Sequence, residues 1–221
     1  MQPPPPIGPR RYSGGALVAC LAAGFVVAAV ICIALAAGGA LPGQEKDSGG
    51  GGGSRAAISL PAHFLSYARL ADVPINKSGA GQKNVQAQEV DYHNTATALS
   101  AAHHGAGAAV EGYGSNDLET LFSVWAVRDA TPPPVVTVAS ADRLGLAVAP
   151  EVVRTFGDVS CDIRYDGVVK GQTVTPEATH TLMCQRSSSS LTVTVNGPNG
   201  DVGSHPDQVA AMVNAVWSQL A

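Results

Sequence analysis

The longest apolar stretch of the chain is the run 16–37, ALVACLAAGFVVAAVICIALAA, which contains no charged residue and no proline. The hydrocarbon core of a bilayer is about 30 Å thick, and a helix of about 20 residues crosses it. A run of 22 apolar residues meets that length with room for tilt. The pattern therefore predicts a transmembrane helix at 16–37, with the lipid bilayer as its partner.

A cleaved signal peptide and a lipidation signal are two alternative interpretations of this run. A signal peptide usually has an apolar region of about 7–15 residues that ends at small residues, and a cut after Ala40 would fit that rule. Residues 17–20 match the spacing of a lipidation signal, but 17 further residues of the run follow Cys20. The length favours the anchor, and cleavage stays open as the alternative.

The segments on either side of the run predict its orientation. Arg10 and Arg11 precede it, and cationic flanks remain cytoplasmic. We therefore expect a Pro-rich cytoplasmic tail at 1–15 and an exported remainder. Residues 38–57 contain five consecutive glycines and predict a flexible linker between the span and the domain.

The first half of the remaining chain, 58–221, alternates between polar and apolar segments. Residues 74–88 are polar and contain glycine, which predicts a mobile loop. An apolar stripe then predicts a helix at 90–104. Apolar runs at 108–113 and 118–128 predict two strands. Residues 135–148 are ambiguous, and we favour a helix from about Ser140.

The second half has the clearest periodicity. Strict alternation over 152–165 predicts a strand that places Val159, Cys161, Ile163 and Tyr165 on one face. Asp166-Gly167 predicts a hairpin turn. Two further strands are expected at 179–185 and 191–196, the latter ending at Asn196-Gly197.

The chain closes with a helical pattern. Pro206 suits the first turn of a helix, and 206–220 carries apolar residues at helical spacing: Val209, Met212, Val213, Val216, Trp217 and Leu220. Together the elements predict one extracytoplasmic α+β domain at 58–221. We expect a mainly antiparallel sheet, about three packed helices and one disulfide.

Charge narrows the classes of partner. Residues 55–221 carry ten Lys and Arg against fifteen Asp and Glu, a net charge near −5. Nucleic-acid binding needs clustered basic residues, and these residues contain no such cluster. The same lack disfavours docking of the domain on anionic lipid.

Two of the four cysteines, Cys161 and Cys184, fall in the predicted domain. Outside the cytoplasm such a pair indicates a disulfide, which would tie two strands of one sheet. A metal or redox pair is the alternative, but the C-x-x-C spacing typical of such pairs is missing. Cys20 and Cys32 lie within the predicted span, where they are small apolar residues.

Histidines offer one candidate metal site. His93 and His104 are 11 positions apart and share a helical face, with Asp91 and His103 nearby. A metal site needs three or four converging ligands, and no H-E-x-x-H or other short ligand spacing occurs here. We expect solvated histidines at a helix end.

Carboxylates and serines also fail to give a catalytic pattern. Asp158, Asp162 and Asp166 follow one strand, where residues four apart lie about 13 Å from each other, too far for paired carboxylate chemistry. The serine run 187–190 lacks the G-x-S-x-G and S-x-x-K patterns and predicts a turn. The sequence thus predicts no catalytic, metal-binding or cofactor-binding residue.

The layout resembles that of a group of exported proteins. The Pro-rich tail, the arginine pair, the single span, the Gly-rich linker and the segment LPAHFLSYARL at 60–70 resemble single-pass, membrane-anchored actinobacterial proteins of unassigned function. The run Cys184-Gln185-Arg186, followed by Leu-Thr-Val-Thr-Val at 191–195, is similar to extracellular sensor domains of mycobacterial receptor kinases. Those domains carry two disulfides, whereas this one has cysteines for one.

These observations lead to two functional hypotheses. The first is a non-enzymatic, membrane-tethered domain that binds a ligand or an envelope protein. The alternative is an exported hydrolase whose catalytic residues meet only in the folded chain. No cofactor and no nucleic acid is expected in either case.

Overall fold

A computed structural model of the chain describes residues 53–137 and 139–221. The predicted tail at 1–15, the predicted span at 16–37 and residues 38–52 of the predicted linker lie outside the described residues. Across the part that is described, the helices are all too short or too polar to cross a bilayer.

The described residues form an α+β domain around one antiparallel sheet, as the sequence predicts. In this part of the chain the sheet has eight strands. They are β1 (His63–Phe64), β2 (Tyr67–Arg69), β3 (Ala108–Gly114), β4 (Leu121–Val127), β5 (Glu151–Phe156), β6 (Val159–Tyr165), β7 (Thr179–Ser187) and β8 (Thr192–Asn196). The spatial order is β1-β2-β3-β4-β8-β7-β6-β5, so two four-stranded meanders meet where β4 pairs with β8.

Within the described residues four α-helices accompany the sheet: α1 (Gly79–Ala102), α2 (Ala141–Leu144), α3 (Gly200–Gly203) and α4 (Pro206–Leu220). The helices α2 and α3 are single turns of four residues. The two long helices lie against the sheet, α1 beside β3 and α4 across β6, β7 and β8.

The helix α4 begins and ends where the sequence predicts. Its apolar stripe buries Val209, Met212, Val213 and Val216, while Trp217 and Leu220 are half-buried. Because side chains alternate along a strand, one face of the sheet presents a matching apolar surface beneath the helix. Its members include Val159, Cys161, Ile163, Cys184, Val193 and Val195.

The predicted disulfide is present. Cys161 and Cys184 lie directly opposite each other on the adjacent strands β6 and β7, and both are fully buried. The bond therefore ties neighbouring strands of one sheet under the first turn of α4. Both sulfur atoms lie within 4 Å of the Pro206 carbonyl oxygen, at 3.7 and 3.9 Å.

The predicted loop at 74–88 is wrong, because α1 starts at Gly79 and runs for 24 residues. Among the apolar residues of the helix, Val85 is buried and Tyr92, Ala96 and Leu99 are half-buried. Only Val85 is fully buried. Tyr92 lies against Gly112 of β3, where a β-carbon would collide with its ring. Within 79–88 only Val85 is buried and most other residues are polar or glycine, which is why this half of the helix resembles a loop. The second half agrees with the helix predicted at 90–104, which ends at Ala102.

Residues 152–165 form two strands rather than one. The predicted inward positions of β6 are confirmed, since Val159, Cys161, Ile163 and Tyr165 are all buried. Gly157, with φ of +61°, makes the turn that separates β5 from β6. The positions that share the core-facing side change from even to odd numbers at this turn, since Val152, Arg154 and Phe156 of β5 lie opposite Ile163, Cys161 and Val159 of β6.

Three other predicted boundaries also change. The segment 166–178, with a short 3-10 turn at Pro176–Ala178, replaces the predicted tight hairpin at Asp166-Gly167. The strand expected at 118–128 begins at Leu121, because Leu118 adopts a positive φ of 60° in the preceding turn. The helix expected from Ser140 is the single turn α2, which the Ser140 side chain caps.

Residues 60–70 pack into the core beside β3. The Arg69 guanidinium donates hydrogen bonds to the carbonyls of Leu60 and Pro61. The Tyr113 hydroxyl donates to the same Pro61 oxygen at 2.6 Å. The ring of Phe64 lies 4.9 Å from that of Tyr113, in an edge-to-face contact. This segment therefore has a structural role in closing one end of the core.

Candidate functional site

The face of the sheet away from α4 carries a cavity of about 240 Å³, here called the α1 cavity. It lies between the last turns of α1 and the central strands. Its lining residues are Leu99, His103, Trp125, Ala126, Val127, Thr131, Met183, Gln185, Thr192, Thr194 and Asn196. Apolar and polar side chains are thus mixed in its wall, as is usual for ligand sites.

The polar side of this wall follows from strand alternation. On β8, Val193 and Val195 point toward α4, so Thr192, Thr194 and Asn196 point the other way. In the paired registers, Thr194 lies between Trp125 of β4 and Gln185 of β7. The Val/Thr alternation thus builds the apolar core with one set of residues and the cavity floor with the other.

Hydrogen bonds hold the segment after β4 over the cavity. The Gln185 side-chain amide donates to the carbonyl oxygens of Pro132, at 2.9 Å, and Thr131, at 3.3 Å. The Thr192 hydroxyl donates to the carbonyl of Asp129 at 2.8 Å. These bonds fix a rim of the cavity without using all of its polar atoms.

Two polar atoms of the wall have no hydrogen-bond partner among the described residues. They are the Thr131 hydroxyl oxygen and the side-chain amide nitrogen of Asn196, and both atoms are buried. A buried polar atom without a partner costs about 1–3 kcal/mol. Thr131 and Asn196 both line the cavity, so a molecule there lies beside two residues that each carry an unsatisfied polar atom.

One histidine and one aspartate meet at the edge of the α1 cavity. His103 Nδ1 and Asp129 Oδ2 are 2.9 Å apart, and the side chains are 16% and 17% exposed. This hydrogen bond is the main cause that lowers the pKa of Asp129, and a second bond from the Ala130 backbone N–H adds to it. The pair joins the carboxyl end of α1 to the residue that follows β4.

The structure does not bring the other candidate metal ligands to His103. Asp91, His93 and His104 are exposed, and the described residues contain no cluster of three or more His, Cys, Asp or Glu side chains arranged to hold a metal. Asp129 lies 26 positions from His103, and sequence reasoning missed it. Its place two residues after an apolar strand and shortly before the prolines at 132–134 was the available signal.

The three carboxylates of the alternating segment have separate environments. Asp158 lies in the β5–β6 turn and pairs with Arg186 at 3.0 Å, and Asp166 pairs with His180 at 3.1 Å. Asp162 is half-buried, and burial raises its pKa, with a further contribution from Glu151. Residues 188–190 of the serine run lie in the turn between β7 and β8, as predicted, whereas Ser187 is the last residue of β7.

A second and larger pocket, here called the α4 pocket, lies on the other face of the sheet. Its volume is about 460 Å³. The lining residues are Ala147, Val148, Arg154, Tyr165, Val174, Thr175, Pro176, Thr179, Ser204 and Pro206. The Arg154 guanidinium lies over the Tyr165 ring, 5.7 Å from its centroid. None of these residues was a candidate from the sequence.

Comparisons of the chain with protein-family models, with curated proteins and with solved structures find no match.

Proposed function

We propose that the chain is a single-pass membrane protein whose extracytoplasmic domain binds a small polar ligand non-covalently in the α1 cavity. The observation that carries the proposal is that Thr131 and Asn196, two residues that line the same cavity, each have a buried polar atom without a partner among the described residues. A ligand that supplies one acceptor and one donor removes both desolvation penalties. Binding energy then comes from groups the fold leaves unsatisfied.

The lining indicates the chemistry of this ligand. Hydroxyl and amide groups favour an uncharged molecule with several hydroxyl or amide groups of its own. The Trp125 indole supplies an apolar surface on which a flat or ring-shaped molecule packs. The volume is below the usual range of about 300–1,000 Å³ for ligand pockets. A compact ligand such as a monosaccharide or a cyclic polyol fits these properties.

The location is part of the same proposal. The run 16–37 anchors the chain, Arg10 and Arg11 keep the N-terminus in the cytoplasm, and residues 38–57 act as a tether. The disulfide between Cys161 and Cys184 supports an exported domain, because such bonds persist in oxidising compartments.

Titration of the purified full-length chain in a neutral detergent tests the binding. The probes are glucose, galactose and myo-inositol, and binding is followed by calorimetry and by Trp fluorescence, since Trp125 lines the cavity. Asn196→Leu should weaken binding of the best probe about tenfold or more. The control Asn84→Leu, at an exposed position of α1, should leave it unchanged.

Stability measured on the same variants separates a binding role from a structural one. Asn196→Leu removes a buried amide that lacks a partner, so the free energy of unfolding should stay the same or rise. The proposal fails if none of the probes binds, or if Asn196→Leu loses stability and binds its probe as well as the native chain.

The pair of His103 and Asp129 favours a second candidate function, an exported hydrolase. A neutral His103 that donates from Nδ1 to Asp129 carries its lone pair on Nε2, the form that a general base requires. Hydrolysis of a nitrophenyl ester or glycoside by the purified chain, abolished by His103→Gln, would replace the binding proposal with this one. If His103→Gln changes neither turnover nor background, the hydrolase is refuted.

A further inference from the structure

The α4 pocket is separate from the α1 cavity and has a different chemistry. We propose that it is a second binding site, which takes the oxyanion of a small organic acid or phosphomonoester, with Arg154 as the group that pairs with the anion. This site lies on the opposite face of the sheet from the α1 cavity, so it does not depend on the function proposed above.

Two neighbours on β6 position the side chain of Arg154. It lies on β5 directly opposite Cys161 of β6, so its side chain shares the face on which the disulfide is buried. Its guanidinium lies over the ring of Tyr165, a buried residue of β6. A planar guanidinium stacked on an aromatic ring loses less freedom when it binds a carboxylate or phosphate with its paired N–H groups.

The only charged side chain in the lining of the α4 pocket is basic. Arg154 is the only ionisable side chain among the pocket's lining residues besides the Tyr165 phenol, and no carboxylate lines the pocket. Two basic residues of the described chain have acidic partners, Arg186 with Asp158 and Lys170 with Asp142. Within 53–137 and 139–221, Arg154 has no such ion pair. Its N–H donors are therefore available to an anion.

The rest of the lining suits an organic anion better than a bare ion. Hydroxyl groups of Thr175 and Ser204 lie in the wall and can donate to additional oxygen atoms. Val148 and Val174 add apolar surface for a carbon group. A volume of about 460 Å³ falls in the usual range for ligand pockets.

The amino terminus of α4 opens at the same pocket and adds to the positive potential. Pro206 lines the pocket, and the cap residue His205 makes no side-chain bond to the helix. The helix dipole at this end favours a negative charge. Asp207 lies in the same first turn, but it is not among the lining residues.

One nearby charge opposes the anion. Glu177 follows Pro176 at the rim, and a hydrogen bond from Thr175 is the main cause that lowers its pKa, so it is ionised at neutral pH. It is exposed, and water and salt screen its repulsion more than they screen a contact inside the pocket. Arg154 is also exposed, but it lines the pocket with its guanidinium over the Tyr165 ring, whereas Glu177 is not among the lining residues. The guanidinium therefore lies nearer to an anion bound in the pocket.

Calorimetry on the full-length chain in neutral detergent tests the site with three probes of similar shape. Phenyl phosphate and benzoate distinguish a phosphomonoester from a carboxylic acid, and phenol is the uncharged control. We expect one of the two anions to bind and phenol to bind at least about tenfold more weakly, a factor that corresponds to about 1.4 kcal/mol. Failure of both anions to bind at millimolar concentration overturns the proposal, as does equal binding of phenol.

Two substitutions locate the binding. Arg154→Gln should weaken binding of the anion about tenfold or more. Arg154→Lys keeps the charge but loses the planar guanidinium, so its affinity should lie between that of Arg154→Gln and that of the native chain. The matched control is Arg164→Gln, an exposed position on the opposite face of β6 with the same change in charge. An equal loss in Arg164→Gln would show that the anion responds only to net charge and would refute the site.

Discussion

The hydroxyl of Tyr113 offers the most direct test of how the core is closed. The residue is fully buried, its hydroxyl donates to the Pro61 carbonyl at 2.6 Å, and burial is the main cause that raises its pKa to about 12. Arg69 lowers that pKa but does not offset the burial. Tyr113→Phe removes the hydroxyl, which is both the hydrogen-bond donor and the titrating group, and keeps the aromatic ring.

The sign of the effect changes with pH. At neutral pH the variant loses one hydrogen bond, so it should be about 1 kcal/mol less stable than the native chain. The unfolded chain releases the Tyr113 proton near pH 10, whereas the folded chain keeps it until about pH 12. Between these values the native chain therefore loses stability, by about 1.4 kcal/mol at pH 11 and about 2–3 kcal/mol at pH 12. Tyr113→Phe does not show this loss of stability, because phenylalanine has no proton to release.

The two stability curves should therefore cross near pH 11, with the variant more stable above the crossing. Guanidinium unfolding of the full-length chain in neutral detergent, followed by circular dichroism at several pH values between 7 and 11.5, gives both curves. All other groups titrate alike in the two proteins, so their difference isolates Tyr113. A constant difference across this pH range would show that Tyr113 is not buried as described and would refute the reasoning.

Three further predictions concern the core and the rim of the α4 pocket. Replacing Cys161 and Cys184, 23 positions apart, by alanine should lower the free energy of unfolding by about 3 kcal/mol in guanidinium unfolding, plus a packing loss; an unchanged midpoint would contradict it. Val213→Ala in α4 should cost about 2 kcal/mol, whereas Val90→Ala at a 59% exposed position of α1 should change stability by less than about 0.5 kcal/mol. Glu177→Gln should tighten phenyl phosphate binding in calorimetry, and weaker binding would mean that the carboxylate itself holds the ligand.

The sequence predicted the elements in which one face is fully buried. In β6 the buried and partly exposed positions follow the apolar and polar residues, and in α4 the apolar residues of the stripe 209–216 are buried together. In β8 the alternation separates two faces that are both buried, since Thr192 and Thr194 are only 3% and 7% exposed. Strong burial on one face leaves a strong period in the sequence. The disulfide followed from compartment and cysteine count, and its opposite placement of Cys161 and Cys184 agrees with the predicted strands.

The helix α1 shows where this reasoning fails. In its first ten residues, 79–88, only Val85 is buried, so these residues carry no helical period, whereas the stripe of Tyr92, Ala96 and Leu99 predicted the second half. The helix instead packs closely through Tyr92 against Gly112, where only glycine leaves room for the ring. Such a fit pairs residues 20 positions apart and has no local signature.

The two candidate sites were hidden for a related reason. The α1 cavity combines His103 at a helix end, Trp125 of β4 and Asn196 of β8, which are far apart in sequence and carry no common spacing. The α4 pocket joins Arg154 to Tyr165 across two strands that the sequence pattern merged into one. Once Gly157 turns the chain, those two residues face the same side, and the exposed Arg154 becomes part of a pocket wall. The turn that the periodicity concealed is therefore the feature that creates this site.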